Sequence, residues 1–317
     1  MHFQNIVVAG GGVLGSQIAY QIAYKGFPVT VWLRSEASID RAMPKFRRLC
    51  GIYQQTLEAM KPGCGTDTTM YARGLVDGLK HTTVLELEEL KGQSQAALDS
   101  IRFVTDLEEA VKDADLVIES VSENPQDKIN FYTSLAKVLP EKTVIATNSS
   151  TMLPSMFRDH TGRPEKYLAL HFANEVWKNN TAEIMGHDCT DPQVYQAVVE
   201  FAGEIGMIPL CLKKEQPGYI LNSLLVPFLN AAQALLVNGV ADLETIDLTW
   251  TAATGAPVGP FRILDIVGLN TAYNIVMMNP AVQDENSVHA KVAAMLKKYI
   301  DEGKTGVNAG EGFYRYA

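Results

Sequence analysis

The feature that most constrains this chain is a glycine motif between two short apolar runs. Residues 5–9 (NIVVA) are typical of a buried strand, and residues 10–15 (GGGVLG) follow at once in the pattern G-x-G-x-x-G. A helical stretch and a second apolar run, residues 29–33, complete a β-α-β unit. Such glycines allow the backbone to approach a pyrophosphate at the helix N-terminus. We therefore predict a dinucleotide site that includes Gly10, Gly12, Val13, Leu14 and Gly15.

The end of the second apolar run bears on which dinucleotide binds. An Asp or Glu usually stands there and accepts from the 2′-hydroxyl of the adenosine ribose. This chain has Leu33-Arg34-Ser35 instead, with Glu36 next. Arg34 and Ser35 are donors suited to a 2′-phosphate, and Leu33 brings no charge to repel one. The sequence therefore favours NADP(H) as the cofactor, with NAD(H) as the alternative.

Apolar runs and helical stretches alternate as far as residue 213, which is typical of a mostly parallel sheet. Residues 39–100 are predicted to form a helical excursion with a loose surface segment at 92–100. Its basic cluster at 45–49 is predicted to be a solvated helix face, with contact to an acidic substrate tail as the alternative. Further strands are predicted near residues 101–107, 115–120, 143–146, 167–172, 181–185 and 207–212, and a short helix near residues 153–157.

Strand signals stop after residue 213, and helices are predicted at residues 219–237, 242–253, 260–277 and 287–302. The predicted fold class is α/β: a Rossmann-type, mostly parallel sheet followed by an all-helical domain. We place the NAD(P)-binding domain at residues 1–213. Residues 214–317 are assigned to a helical C-terminal domain for dimerisation and substrate binding.

Charge and cysteine content limit the classes of partner. The 27 basic and 36 acidic residues give a net charge of −9, which argues against nucleic acid or an anionic membrane surface as a partner. The four cysteines lack metal-ligand spacing, so we predict no metal site and free thiols in a reducing cytoplasm. They are Cys50, Cys64, Cys189 and Cys211.

One stretch, residues 219–237, carries no charge and is long enough to span a bilayer. Polar residues and a proline interrupt it, namely Asn222, Ser223, Pro227, Asn230 and Gln233. We therefore expect a buried helix of a soluble core or of a homodimer interface rather than a membrane span.

Residues 145–185 contain a hydroxyl, an imidazole and a carboxylate: Ser150, His171 and Glu183. These are the groups needed to exchange a proton with an alcohol oxygen, because an imidazole titrates near neutral pH. Such a trio also arises by chance as a core histidine with two surface polar residues. Ser150 and His171, however, fall at the carboxyl ends of predicted strands, where ligands of parallel sheets bind.

The chain resembles the 3-hydroxyacyl-CoA dehydrogenase family over nearly its whole length and is most similar to its bacterial diketoreductase branch. The matching segments, in order, are GGGVLGSQIA, DLVIESVSEN, ATNSST, LALHFAN, TAEIMG, PGYILNSLLVP, GAPVGPFRILDIVGL and GEGFYRY.

This resemblance implies a role for individual residues. The family's active histidine and its glutamate partner fall on His171 and Glu183. Its substrate-binding serine and asparagine fall on Ser150 and Asn222. Two ribose contacts of the cofactor fall on Glu123 and Lys128, and Asn148 of the ATNSST segment is placed with the cofactor-binding residues.

The departures from the family pattern concern the cofactor and the thioester. Leu33 replaces the ribose-binding aspartate, and the weakly basic excursion after residue 39 does not match the family's CoA-contacting helix well. Three hypotheses follow: oxidation and reduction of short 3-hydroxyacyl-CoA thioesters such as 3-hydroxybutyryl-CoA; CoA-independent reduction of β-keto or 3,5-diketo acids or esters; and a non-catalytic dinucleotide-binding structural or sensor protein.

Overall fold

The computed structural model describes residues 1–316, which form two compact units, one of residues 1–220 and one that begins at Leu221. The boundary predicted after residue 213 lies a few residues before this division.

The first unit is built on one eight-stranded sheet in the order β3-β2-β1-β4-β5-β6-β7-β8. Its strands are β1 Ile6–Ala9, β2 Val29–Trp32, β3 Arg102–Val104, β4 Leu116–Glu119, β5 Val144–Thr147, β6 Tyr167–Phe172, β7 Thr181–Met185 and β8 Ile208–Cys211. Every neighbouring pair is parallel except β6 and β7. The predicted mostly parallel sheet is therefore confirmed.

Helices cover both faces of this sheet. Along β1, Ile6 and Val8 pack into one apolar cluster and Val7 and Ala9 into another, as the alternation of side chains in a strand requires. The helices of this unit are α1 Val13–Tyr24, α2 Glu36–Met60, α3 Val84–Ser100, α4 Leu107–Val111, α5 Pro125–Val138 and α6 Pro192–Glu204. Residues 153–157, predicted as a helix, contain only the 3-10 turn Pro154–Met156.

The prediction of a loose surface segment at residues 92–100 is wrong, because these residues form the second half of α3. A capping box of Thr83 and Glu86 begins this helix. Ser94 is fully buried, and the Tyr20 hydroxyl donates to its carbonyl oxygen at 2.6 Å. The small polar residues of this segment therefore serve close packing of α3 against α1 and α2, which their composition alone does not reveal.

The second unit contains only helices: α7 Tyr219–Val237, of which residues 221 onward belong to it, α8 Leu243–Thr254, α9 Pro260–Val267, α10 Leu269–Met277 and α11 Val288–Asp301. The helix predicted at 260–277 is divided by Gly268, whose φ of +91° ends α9. The buried carboxylate of Asp265 accepts from the backbone N–H groups of Phe313 and Tyr314 and from the Tyr316 hydroxyl. This carboxylate fastens the C-terminal segment to the unit.

Helix α7 is long and apolar enough to cross a membrane by length and composition alone. Only 17% of its most apolar 18-residue window is buried within the single chain. A core helix of a soluble protein would be mostly buried. Leu224 and Leu235 on this helix are 70% and 42% exposed.

Candidate active site

The glycine motif forms a backbone cradle, and two of its positions have no room for a side chain. A Cβ atom on Gly10 would lie 2.2 Å from the carbonyl oxygen of Ser120, and one on Gly15 would lie 2.5 Å from that of Gly10. Above Gly12, in contrast, no atom of the described chain beyond its immediate neighbours lies within 4 Å of such a Cβ. Gly12 is the N-cap of α1, so the helix N-terminus opens onto this space. The cradle fits a pyrophosphate, as predicted from the motif.

A cavity of about 620 Å³ continues from the cradle along the start of α2. Its lining includes the glycines and three cationic side chains, Arg34, Arg41 and Lys45. The Lys45 ammonium group donates to the carbonyl oxygen of Gly11 at 2.9 Å. Lys45 is thus part of the cofactor cavity, which corrects the prediction that the whole basic cluster at 45–49 is a solvated face.

Donors concentrate where the ribose of a dinucleotide would lie. Arg41 donates to the Ser38 hydroxyl at 2.8 Å, and the hydroxyls of Ser35 and Ser38 are 3.0 Å apart. Leu33 is buried and packs under the glycine loop. The sequence prediction named Arg34 and Ser35 and missed Ser38 and Arg41, although a spacing of three along a helix places such residues on one face.

The imidazole and carboxylate of the trio are direct cross-strand neighbours. His171 on β6 pairs with Glu183 on the antiparallel strand β7. Their side chains are buried, and His171 Nδ1 lies 3.1 Å from Glu183 Oε2. On the other side of the ring, Nε2 lies 3.3 Å from the Ser150 hydroxyl. The structure therefore brings together the three residues that were singled out from the sequence.

Ser150 lies in a loop after β5 that is held by one carboxylate. Glu123 Oε1 accepts from the Ser149 hydroxyl at 2.6 Å and from the backbone N–H of Ser150 at 3.0 Å. It also accepts from the backbone and the hydroxyl of Thr151. Burial alone would raise the pKa of Glu123, but the hydrogen bonds from Ser149 and Thr151 and the charge of Lys128 hold that pKa below its ordinary value. Glu123 is therefore an anion that organises the serine loop.

Lys128 lies inside the protein, with only 1% of its side chain exposed. Its ammonium group is 2.7 Å from Glu119 Oε1 and 3.4 Å from Glu123 Oε2. Glu119 is also fully buried, and it accepts from the hydroxyls of Tyr132 and Thr147. In this arrangement Lys128 contacts Glu123, the carboxylate that holds the serine loop, and the ribose contacts that the resemblance implied for Glu123 and Lys128 stay predictions. Glu119, which the sequence prediction missed, is the second member of this buried pair.

Two other predicted residues have different placements. Asn148 Oδ1 accepts from the backbone N–H of Phe172 at 3.1 Å, which ties the end of β5 to the residue after His171. Asn222 lies in the first turn of α7 and belongs to the second unit. The cofactor role of Asn148 and the substrate role of Asn222 stay predictions.

One residue next to the trio gave no signal in the sequence. The Tyr219 ring stacks on the His171 ring, with centroids 4.3 Å apart and an interplanar angle of 13°. The following backbone N–H, that of Ile220, donates to Glu183 Oε1 at 2.8 Å.

These parts meet at one edge of the sheet, since β1 and β6 both end there. A dinucleotide cradle and an imidazole oriented by a carboxylate, both at the carboxyl ends of the parallel strands, are typical of nicotinamide-dependent oxidoreductases. Residues 5–216 match the NAD binding domain of 3-hydroxyacyl-CoA dehydrogenase, and residues 218–316 match its C-terminal domain. The chain belongs to the 3-hydroxyacyl-CoA dehydrogenase family, whose members are oxidoreductases acting on CH–OH donors.

Individual relatives are similar over the full chain. The human mitochondrial hydroxyacyl-coenzyme A dehydrogenase is 30% identical over 313 residues, which are 99% of this chain and 91% of that protein. A probable 3-hydroxybutyryl-CoA dehydrogenase of Deinococcus radiodurans is 28% identical, covering 98% of this chain and 99% of that protein. A solved diketoreductase, described as a dual catalyst of dicarbonyl compounds, is 49% identical with a TM-score of 0.84 and covers 100% of both chains.

Proposed function

We propose that His171 is the acid–base group of a reversible oxidation and reduction between a 3-hydroxy and a 3-oxo acyl compound. The observation that carries this proposal is the ring of His171 between Glu183 and Ser150. Glu183 accepts from Nδ1–H, which leaves Nε2 to exchange a proton with the substrate oxygen. Bound nicotinamide supplies or accepts the hydride.

The other residues position the substrate and stabilise charge. Glu183 orients the imidazole and stabilises its protonated form. The Ser150 hydroxyl, 3.3 Å from Nε2, hydrogen-bonds the reacting oxygen, and Asn222 is assigned to the second substrate oxygen. A purely structural or sensory role for the dinucleotide site is set aside, because the family is one of oxidoreductases.

Two substrate classes fit this chemistry. The first is a short acyl-CoA thioester such as 3-hydroxybutyryl-CoA, which the names of the human and Deinococcus relatives support. The second is a CoA-independent β-keto or 3,5-diketo acid or ester, and the identity of 49% to a diketoreductase supports it. Comparing kcat/KM for acetoacetyl-CoA with that for a small β-keto ester, with each of NADH and NADPH, tests the choice. A preference for the thioester of tenfold or more, about 1.4 kcal/mol, establishes the first class, and the reverse establishes the second.

NADP(H) is the cofactor that we propose, with NAD(H) as the alternative. Arg34, Ser38 and Arg41 line the cavity, Arg41 donates to the Ser38 hydroxyl, and the Ser35 hydroxyl lies 3.0 Å from that of Ser38. A planar guanidinium donates two parallel hydrogen bonds to a phosphate, and charge-assisted bonds of this kind contribute about 1.5–3 kcal/mol each. Glu36 is the nearest acidic residue in the sequence, and its carboxylate lies 3.4 Å from the Thr105 hydroxyl.

NADPH is therefore expected to bind at least tenfold more tightly than NADH, which corresponds to about 1.4 kcal/mol. Arg34→Ala should weaken NADPH binding by about tenfold or more and leave NADH binding nearly unchanged. Fluorescence or calorimetric titration of both cofactors gives the two dissociation constants. Arg47→Ala is the matched control, because Arg47 is an exposed arginine of α2 outside the cavity lining. Equal binding of the two cofactors by the unaltered protein would contradict the proposal.

The proposed assembly is a cytoplasmic homodimer with neither a membrane nor a nucleic-acid partner. The exposed apolar residues of α7 support it, because a soluble chain rarely leaves such a surface uncovered. Light scattering at micromolar concentration is expected to give twice the mass of the chain. Leu224→Glu, on the 70% exposed Leu224, should shift the mass toward that of a monomer, whereas Leu85→Glu, on an exposed leucine of α3, should not. A monomeric mass for the unaltered protein would exclude the dimer.

A further inference from the structure

Tyr219 occupies an unusual place in the chain. Its φ is +54°, in the left-handed region that residues other than glycine seldom adopt, and Gly218 before it has a φ of +76°. Only 1% of Tyr219 is exposed. Non-glycine residues in this conformation persist where surrounding contacts enforce it, and they are concentrated at functional sites.

Tyr219 contacts His171 directly, and contacts at or next to it lead to Ser150 and Glu183. Its ring stacks on His171 at a centroid distance of 4.3 Å. Its hydroxyl, whose pKa burial raises so that it stays protonated, donates to the carbonyl oxygen of Ser149 at 2.7 Å, next to Ser150. The left-handed turn also directs the N–H of Ile220 to Glu183 Oε1, while Oε2 of the same carboxylate faces His171.

We propose that Tyr219 is a positioning residue that sets the orientation of the His171 ring for proton transfer. This proposal rests on the acid–base role of His171 proposed above. In the observed ring orientation, Nδ1 faces Glu183 and Nε2 faces Ser150. A rotation about the Cβ–Cγ bond would move both nitrogens away from these partners. A parallel aromatic ring at 4.3 Å opposes that rotation by steric contact across one whole face of the imidazole.

The same ring closes one face of the imidazole to water. Tyr219 is buried and lies parallel to His171, so water reaches the imidazole only from its other sides. An acid–base group held in this way exchanges its proton with the substrate oxygen rather than with solvent. A tyrosine that only filled the core would contribute to stability but would not change kcat of the folded enzyme.

The experiment compares Tyr219→Leu and Tyr219→Phe in the full chain. Tyr219→Leu removes the stacked ring and is expected to lower kcat by about 10²-fold, as misplacement of a catalytic group by about 1 Å does, while the cofactor dissociation constant is unchanged. Tyr219→Phe keeps the ring and is expected to recover most of that loss. In NMR spectra, the His171 ring-proton resonances should shift in Tyr219→Leu and keep their positions in Tyr219→Phe.

A double-mutant cycle distinguishes the possible failures. If Tyr219 acts through His171, adding Tyr219→Leu to His171→Ala leaves the residual rate unchanged. Near-normal kcat for His171→Ala overturns the proposed function itself. A low kcat for His171→Ala with near-normal kcat for Tyr219→Leu overturns the role of Tyr219 alone. If Tyr219→Leu does not fold, Tyr219→Met provides the same comparison with a longer, flexible side chain.

Discussion

His171→Ala is expected to lower kcat by about 10²–10⁴-fold, the usual contribution of a general acid–base group. The loss follows because neither the Ser150 hydroxyl nor the Glu183 carboxylate, the two groups that contact the ring nitrogens, replaces the imidazole as the acid–base group. The cofactor dissociation constant should be unchanged, since His171 does not line the cofactor cavity. Steady-state kinetics and cofactor titration on the same preparation measure both quantities.

His81→Ala is the matched control, because His81 is an exposed histidine in the first unit. It should change neither kcat nor cofactor binding. Glu183→Gln should lower kcat in the same direction as His171→Ala, since a neutral amide stabilises the protonated imidazole less than a carboxylate does. A His171→Ala protein that turns over at a near-normal rate would remove the basis for the proposed mechanism.

Lys128→Met is expected to destabilise the first unit by about 3–5 kcal/mol, because it leaves the buried carboxylate of Glu119 without its cation. Both side chains are almost completely inaccessible, and their charged atoms are 2.7 Å apart. Neutral donors such as Tyr132 and Thr147 remain on the carboxylate but do not balance its charge. Urea unfolding of the cofactor-free protein, followed in the transition of the first unit, measures the change without a contribution from ligand binding.

The double variant Lys128→Met with Glu119→Gln should recover a large part of this loss, because it removes both charges. Lys137→Met, at an exposed lysine of the same helix, should change stability by about 0.5 kcal/mol or less. A Lys128→Met protein as stable as the unaltered one would contradict the stabilising role assigned to this buried ion pair.

The sequence was sufficient to predict the position of short apolar strands. The strands β1, β4 and β6 are short, wholly apolar or nearly so, and bounded by turn residues, so their positions were predicted to within a residue or two. The trio was also predicted: Ser150 and His171 stand at or just after the carboxyl ends of predicted strands, and Glu183 lies within β7. The prediction for residues 92–100 was wrong because the buried residues there, Ser94 and Ala97, do not form an apolar stripe that the sequence would reveal.

The missed residues act through three-dimensional contacts that no local pattern encodes. Glu119 was interpreted as part of an ordinary buried strand, although its carboxylate pairs with a lysine from the next helix. Tyr219 begins a helix, and nothing in PGYIL indicates that its backbone is left-handed or that its ring faces His171. Lys45 was predicted as part of a solvated basic cluster, because the sequence does not show which residues of that cluster face the cavity.

The pairing of His171 with Glu183 across β6 and β7 has a consequence for how preparations of this enzyme should be assessed. Successive side chains of a strand point to opposite faces, so a shift of β7 by one residue would turn Glu183 away from His171. The glycine cradle, three strands or more away in the sheet, would be unaffected. A refolded sample can therefore bind cofactor with full stoichiometry and yet contain inactive molecules. Counting active sites by a single-turnover burst, rather than by bound dinucleotide, is the appropriate basis for any rate constant.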